Sequence, residues 1–330
     1  MRCRSGTRYA GAVSHAVFRL ARRVRPSVRE DANRVVTGLA QRHSTRGVLN
    51  AAYELLPPAR KGWTHAAFGQ VLGTLPADSV QPGVWRSAFA GRTITVPIEG
   101  PHAPFLLDFG LALEGHDVEV KQLYRRLLTS AAPPAVFYDI GTNFGTHSLL
   151  FLVHGVRTVS FEPNPACHAL FRSICEANDV EPDLRALALG EQEGSVVLTF
   201  PPGLTWLGTT KPEVGAERGA GRPMETVEVP CGTLDAFVAA QEAGPDLVKI
   251  DTEGNELGVL RGATRTLAEH RPIVVFESLH ADRGELWDLW SDAGYAIRVL
   301  PDGPALDARS FGTSPETNFV AVPQERELPA

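Results

Sequence analysis

The stretch VFYDIGTNFGTHSLL, residues 136–150, begins as an apolar run and breaks after Asp139 into Gly141, Asn143 and Gly145. Glycine weakens the interior of a strand, so this spacing indicates a backbone that turns sharply or adopts left-handed conformations. A turn of this kind followed by a helix offers free backbone N–H groups to an anionic ligand group. The stretch therefore predicts a strand, a ligand-binding turn and a helix.

From residue 135 onward, short apolar runs alternate with segments of helical period. Runs rich in Val, Ile and Phe are typical of parallel strands that are buried on both faces. The predicted strands are AVFY (135–138), TVSF (158–161), LRALAL (184–189), DLVKI (246–250) and IVVF (273–276), and YAIRVL and NFVAV are predicted as a terminal antiparallel pair. The alternation predicts an α/β fold with a doubly wound, mostly parallel sheet.

An insertion over about 190–230 interrupts this alternation. Its ends, SVVLTF and ETVEVP, alternate as the strands of a hairpin do. The segment between them, about 200–222, is so rich in glycine and proline that we expect no regular structure there, and long loops of this kind often cover binding sites. Trp206 in this segment is interpreted either as a wall against substrate or as an anchor for the loop.

The charge of the chain is divided unevenly along its length. Residues 1–61 carry 13 basic and 3 acidic side chains, whereas the remainder carries 19 basic and 35 acidic ones. The spacing of AVFRLARRV and RVVTGLAQR predicts helices ending at Pro57-Pro58, and GRTITVPI (91–98) alternates like a strand. We therefore predict a basic, mainly helical extension over 1–85 and an α/β domain over 86–330.

The basic extension leaves open an interaction with nucleic acid, an acidic membrane surface or an acidic protein surface. We favour an amphipathic helical appendage and expect no nucleic-acid partner. The segment has no apolar run of about 18 residues that would predict a membrane span, and no secretory signal follows its arginines. The expected location is the cytoplasm.

Cys3, Cys167, Cys175 and Cys231 form no CxxC pair, which argues against a zinc site and a disulfide framework.

Four predicted strands are followed directly by an acidic residue: Asp139, Glu162, Asp251 and Glu277. The carboxyl ends of parallel strands form the edge where ligands bind, so we expect these acids to converge on one crevice. Their mutual repulsion would raise their pKa values unless a positive or hydrogen-bonding group lies between them.

The spacing of two of these acids indicates the class of ligand. Glu162 follows Asp139 by 23 residues, about the distance at which an acid after the second strand binds ribose hydroxyls. Asp139 would accept hydrogen bonds from the turn or from a ligand ammonium. The pattern indicates a nucleoside with an amino-acid tail. A dinucleotide is disfavoured because the G-x-G-x-x-G fingerprint is broken at Asn143 and Thr146.

Six segments follow one another in this order: FYDIGTNFGTHSLLF, SFEPNP, ALALGEQEGSVVLTF, VPCGTLDAFV, LVKIDTEGNELGVLRGA and IVVFES. Together they resemble the FkbM family of S-adenosylmethionine-dependent methyltransferases over roughly 118–300. The resemblance implies a seven-strand class I methyltransferase (Rossmann-like) sheet and methyl transfer to a hydroxyl oxygen, often of a secondary metabolite or a sugar. It also implies a donor-binding set made of Asp139, Gly141, Thr142, Asn143 and Gly145, with Glu162 on the ribose.

An alcohol has a high pKa, so its proton must be accepted as the new C–O bond forms. Asp251 and Glu253, just past the fourth strand, are the first candidates for this role, followed by Glu277. His147 and His280 are further candidate bases, although a structural role is favoured for His147. As an alternative, the same acids would coordinate Mg²⁺, which is usually bound by oxygen ligands. We assign no metal ligand.

The sequence thus predicts an S-adenosylmethionine-dependent O-methyltransferase acting on a small hydroxylated, sugar-like acceptor. Two alternatives stay open: a catalytically silent scaffold that binds the donor, and an NAD(P)-dependent oxidoreductase, which the broken fingerprint disfavours.

Overall fold

The computed structural model describes residues 26–202, 207–219, 221, 223–241, 243–278 and 282–329. The predictions for Trp206, His280 and the chain before residue 26 lie outside these described residues.

The chain divides into two compact units. One unit comprises the described residues up to 87 together with Val96–Val118 and Ser314–Thr317. The other comprises Ala88–Thr95, Glu119–Thr313 and the described chain from Asn318 onward.

Four helices form most of the first unit: α1 (Pro26–Gln41), α2 (His43–Glu54), α3 (Pro58–Gly73) and α4 (Ala103–Gly115). The sequence spacing predicted no helix directly after Pro57-Pro58, but α3 begins at Pro58. Proline is tolerated in the first turn of a helix because the backbone N–H that it lacks would have no hydrogen-bond partner within the helix. α4 is buried along nearly its whole length and forms the centre of this unit.

A hairpin of β1 (Gly83–Phe89) and β2 (Arg92–Ile98) includes the strand predicted over 91–98. Its two-residue turn consists of Ala90 and Gly91, both at positive φ (45° and 83°), as a turn matched to the twist of the strands requires.

The strands that follow are β3 (Val136–Ile140), β4 (Arg157–Phe161), β5 (Asp183–Arg185), β6 (Ala188–Leu189), β7 (Gly194–Phe200), β8 (Glu225–Gly232), β9 (Leu247–Ile250), β10 (Ile273–Glu277), β11 (Tyr295–Val299) and β12 (Asn318–Pro323). The helices are α5 (Val118–Thr129), α6 (Ser148–Leu152), α7 (Pro165–Glu176), α8 (Pro212–Gly219), α9 (Leu234–Ala239), α10 (Glu256–Arg261), α11 (Thr264–His270), α12 (Arg283–Asp292) and α13 (Ala308–Thr313).

Seven of these strands form one sheet in the order β11-β12-β10-β9-β3-β4-β5. The five strands from β10 to β5 are parallel, and β12 runs antiparallel to both β10 and β11. The mostly parallel α/β sheet and the terminal antiparallel pair are therefore confirmed, and the complete sheet is mixed. β3 and β9 are buried along their whole length, as their apolar sequences predicted.

The strand order changes direction at β3. From β3 the chain proceeds outward to β4 and β5, and it later returns to β9 on the opposite side of β3. The carboxyl ends of β3 and β9 therefore flank a topological switch point, where open α/β sheets bind ligands.

The predicted strand 184–189 is divided between two sheets. Its first part is β5 of the large sheet, and its second part is β6, which pairs in parallel with β8 in a sheet of order β6-β8-β7. The predicted hairpin is confirmed, since β7 and β8 pair antiparallel over seven residues.

The expectation of no regular structure over 200–222 was wrong. The segment 200–222 contains α8, a helix of eight residues that begins at Pro212. Residues 256–270 form two separate helices, α10 and α11, which are divided near Gly262, where an added Cβ would lie 2.0 Å from the carbonyl oxygen of Gly190. Within the described part of the chain, no helix has both the length and the apolar character needed to cross a membrane.

Candidate active site

The turn after β3 passes against the backbone that follows β9. Gly141 has φ +85°, and its N–H donates to the carbonyl oxygen of Phe161 at 3.0 Å. An added Cβ at Gly141 would lie 1.7 Å from the carbonyl oxygen of Asp251. Only glycine fits here, because the position combines a left-handed backbone with contact to another main chain.

Asn143 continues this turn in the left-handed conformation, with φ +52°. Asparagine tolerates this conformation better than most residues do, as the sequence motif suggested. The backbone N–H of Asn143 donates to Oε2 of Glu162 at 2.6 Å, and its side-chain Oδ1 accepts from Sγ of Cys167 at 3.3 Å. The turn is therefore held in place by Glu162, which follows β4, and by Cys167 of α7.

Thr142 and Gly145 complete the turn. The hydroxyl of Thr142 donates to the carbonyl oxygen of Asp139 at 2.8 Å, and the N–H of Gly145 donates to the carbonyl oxygen of Thr142 at 2.9 Å. Gly145 has φ +84°, and an added Cβ would lie 2.1 Å from the ring of Phe171. The small size of Gly145 therefore admits this ring from α7.

Glu162, after β4, is buried and bonded through both of its carboxylate oxygens. Oε2 accepts from Asn143 N, and Oε1 accepts from Asn164 N at 2.7 Å. Burial raises the pKa of Glu162 to about 7, although the two backbone amides oppose this effect. Glu162 therefore shapes the turn directly, and each oxygen keeps a second lone pair for a ligand hydroxyl.

Asp139 is fully buried at the end of β3. Its Oδ2 accepts from the backbone N–H of Ser148 at 3.0 Å and from the Ser148 hydroxyl at 2.6 Å. The same hydroxyl lies 2.8 Å from that of Ser160 on β4. Burial raises the pKa of Asp139, and the charge of Lys249 and the bonds to Ser148 lower it. Within the described residues, Asp139 Oδ1 has no hydrogen-bond partner.

Lys249 introduces a cation that the sequence analysis missed. It lies on β9 directly beside Asp139 of β3, and its Nζ donates to Oδ2 of Asp251 at 2.8 Å. The Lys249 side chain is 3% exposed, whereas that of Asp251 is 28% exposed. The pair therefore extends from the interior of the sheet to its accessible edge.

Glu256 determines the shape of the loop after Asp251. Its Oε1 accepts from Thr252 N at 2.9 Å, from the Thr252 hydroxyl at 3.0 Å and from Gly254 N at 3.0 Å. Glu253 and Gly254 in this loop have φ of +58° and +114°. Burial raises the pKa of Glu256, and the backbone amides oppose the increase. Glu256 is a structural acid of this loop.

Three acids lie together at the ends of β9 and β10. Carboxylate oxygens of Asp251, Glu256 and Glu277 lie within 4.8 Å of one another. We expected Glu253 beside Asp251 and Glu277, but Glu256 occupies this position. Oxygen ligands of this kind suit Mg²⁺. The ammonium of Lys249 already provides Asp251 with a cation, however, so we assign no metal here.

The structure thus brings the predicted strand-end acids to one edge of the sheet. Asp251 contacts the turn through its backbone and lies near Glu277, while Glu162 holds the other side of the turn. The sequence analysis missed the contributions of Lys249, Ser148, Ser160 and Glu256. Only Lys249 had a visible signal, because a lone lysine within a strand predicted to be buried needs a partner.

Two sequence comparisons assign the chain to a family. The profile described as "Methyltransferase FkbM domain" matches residues 139–298. The hexuronic acid methyltransferase AglP of Haloferax volcanii is 30% identical over 182 residues, which cover 54% of this chain and 71% of AglP. The chain belongs to the FkbM family of methyltransferases. The matched residues include both sides of the switch point.

Structure comparisons find methyltransferases among the similar solved chains. The FkbM methyltransferase of Methylobacillus flagellatus is 16% identical with a TM-score of 0.37, and the match covers 67% of this chain and 54% of that one. The tRNA (uracil-54, C5)-methyltransferase of Pyrococcus abyssi, solved with S-adenosyl-L-homocysteine, is 14% identical with a TM-score of 0.34, covering 72% and 43%. This FkbM-family chain thus spans about half the length of the first solved chain and less than half the length of the second.

Proposed function

We propose that this FkbM-family methyltransferase uses S-adenosylmethionine to methylate a hydroxyl oxygen of a small, sugar-like acceptor, within a class I (Rossmann-like) sheet. One observation carries the proposal: the Gly141 turn after β3 lies against the backbone of Asp251 after β9 and is bonded to Glu162 after β4. Three strand ends thereby form one continuous edge at the switch point.

The residues at this edge fit the donor's chemistry. S-adenosylmethionine carries a sulfonium, an ammonium and ribose hydroxyls, and it supplies an electrophilic methyl group when bound. Glu162 retains lone pairs for hydroxyl donors, and the buried Oδ1 of Asp139 is an acceptor without a partner in the described chain. Carboxylates at this edge favour a cationic donor electrostatically.

Asp251 is the first candidate for accepting the acceptor's proton. Lys249 engages its Oδ2, and the side chain is partly exposed, so Oδ1 is the atom that we assign to the acceptor hydroxyl. A positioned carboxylate within hydrogen-bond reach of the hydroxyl orients the oxygen and receives its proton as the C–O bond forms. Glu277 is the second candidate because its carboxylate lies near that of Asp251. Glu253, a first candidate from the sequence, becomes the third.

The relative AglP suggests which acceptors to test first. Its name specifies a hexuronic acid, so we propose hexuronic acids and their glycosides as initial acceptors for this chain. Hydroxylated secondary metabolites form the second group to test.

The donor-binding part of the proposal is tested at the glycine turn. Gly141→Ala places a Cβ against the carbonyl oxygen of Asp251, whereas Gly155→Ala adds a Cβ at a similar φ (+74°) with no atom within 4 Å. We expect Gly141→Ala to weaken S-adenosylhomocysteine binding at least ~100-fold, and Gly155→Ala to leave it nearly unchanged, because only the former displaces backbone. Isothermal titration calorimetry of both variants and the unmodified chain measures this.

The same titrations separate the proposal from its rivals. Tight NADH binding without S-adenosylhomocysteine binding would support the oxidoreductase. Methyl transfer to hydroxylated acceptors is measured by mass spectrometry. If the chain binds S-adenosylhomocysteine but methylates none of these acceptors, the result would support the silent scaffold.

A further inference from the structure

A row of buried polar side chains crosses three central strands of the large sheet. Ser160 on β4, Asp139 on β3 and Lys249 on β9 are directly adjacent in the strand register. Adjacent residues in register point to the same face of a sheet. All three are buried, although parallel strands covered on both faces are normally apolar. Such a row is unfavourable unless its members bond to one another.

Hydrogen bonds and one charge–charge contact along this row link the donor turn to the acceptor side. Ser148 joins Ser160 to Asp139 through its hydroxyl. Lys249 lies next to Asp139 and lowers the pKa of that acid, and its Nζ continues to Asp251. The row therefore ends in a side chain that reaches the accessible edge.

We propose that Lys249 is a positioning residue that holds the Asp251 carboxylate in place for the acceptor hydroxyl and couples it to Asp139 beneath the donor turn. This inference rests on the function proposed above. The ammonium extends from a rigid, fully buried strand, while Asp251 begins a loop with two consecutive positive-φ residues. The 2.8 Å bond fixes one carboxylate oxygen and leaves the other directed to the acceptor.

The inference predicts a split between turnover and binding. Lys249→Met retains the aliphatic stem and removes the ammonium, so we expect kcat to fall ~100-fold while the KM for the donor changes less than about fivefold. Lys249→Arg keeps a cation near Asp251 and should recover at least about tenfold of the lost kcat. A role limited to packing would give no rescue by arginine, since arginine fits this space no better than methionine does.

A double-mutant cycle with Asp251→Asn is the decisive test. Because Lys249 acts through Asp251, adding Lys249→Met to Asp251→Asn should lower kcat less than about threefold further. Losses that multiply in the double variant, or a Lys249→Met kcat within about threefold of the unmodified enzyme, would overturn the inference.

Two further measurements keep the experiment interpretable. Lys61→Met, at a buried lysine of the first unit, controls for the loss of a buried cation and should leave the kcat of folded protein unchanged. If Lys249→Met does not fold, Lys249→Gln, which retains an N–H donor, enters the same cycle with the same criteria. Absence of methyl transfer by the unmodified chain would overturn the function and the inference together. An active enzyme with an unaffected Lys249→Met variant would overturn the inference alone.

Discussion

Lys61 in α3 and Lys249 in β9 are both buried lysines bonded to a carboxylate, yet the bonded carboxylate is buried beside Lys61 and partly exposed beside Lys249. Lys61 Nζ lies 2.5 Å from Oε1 of Glu114, and the two side chains are 6% and 5% exposed. Lys249 and Asp251 are almost as close, but Asp251 is partly accessible. The first pair is closed, and the second is open at one end.

The neighbours of the two lysines explain this difference. Around Lys61, Glu54 Oε2 lies at 3.7 Å and the Tyr53 ring centroid at 5.3 Å, so residues of α2, α3 and α4 surround the ammonium. Around Lys249, the neighbours are Asp139 and the loop that begins at Asp251. The closed pair joins helices, whereas the open pair ends at the edge where a ligand would bind.

A buried ion pair is therefore not by itself a sign of function. Breaking such a pair leaves an uncompensated buried charge, whatever its purpose. The accessibility of one partner, together with its position at a switch point, distinguishes a pair that can act on a ligand from one that only stabilises the fold.

The largest effect is expected at the accessible end of the open pair. Asp251→Asn removes the proposed proton acceptor and should lower kcat by about 10²–10⁴-fold, the usual contribution of a general base. Glu114→Gln at the closed pair should leave the kcat of folded protein unchanged. Steady-state methyl-transfer assays on both variants test this contrast, and equal losses would remove the distinction between the pairs.

The next effect concerns stability at the closed pair. Lys61→Met leaves Glu114 buried without its cation, so the free energy of unfolding should fall by about 3–5 kcal/mol. Asp251→Asn should change it by less than about 1 kcal/mol, because asparagine keeps an oxygen that accepts from the Lys249 ammonium and the Asp139 carboxylate remains beside that cation. Denaturant unfolding followed by circular dichroism measures both, and a larger loss for Asp251→Asn would contradict the comparison.

Glu162 differs from Glu114 and Asp251 because no cation pairs with its carboxylate within the described residues. Burial raises the pKa of Glu162 to about 7, above its ordinary value of 4.5. The folded chain therefore binds this proton more tightly than the unfolded chain does. The contribution of Glu162 to the unfolding free energy should fall by about 3 kcal/mol as pH rises from 4.5 to 7, and should then level off.

The same group should make donor binding depend on pH. Ribose hydroxyls donate to the ionised carboxylate, so S-adenosylhomocysteine affinity should rise about tenfold between pH 6 and pH 8, following the fraction of Glu162 that is ionised. Calorimetry at several pH values compares the unmodified chain with Glu162→Gln, which should lack this rise. Parallel pH profiles for the two proteins would exclude Glu162 as the titrating group.

The sequence by itself was sufficient for most of the fold. The apolar runs predicted the four interior parallel strands β4, β3, β9 and β10, because a strand buried on both faces requires such a run whatever its neighbours are. The positions of Gly141 and Asn143 predicted the turn, since positive φ restricts residue type locally. The acids after the strands were predicted to converge because parallel strands end at the same edge.

Tertiary structure alone decided how these groups are paired. The sequence did not show that Glu256, rather than Glu253, would lie with Asp251 and Glu277, because the loop between them adopts positive φ values at two successive residues. The composition of 200–222 likewise concealed α8. Lys249 received its partners only when β9 was placed beside β3, and strand order depends on contacts between distant segments. Local patterns determine which way a side chain points, but the folded sheet determines which charge it meets.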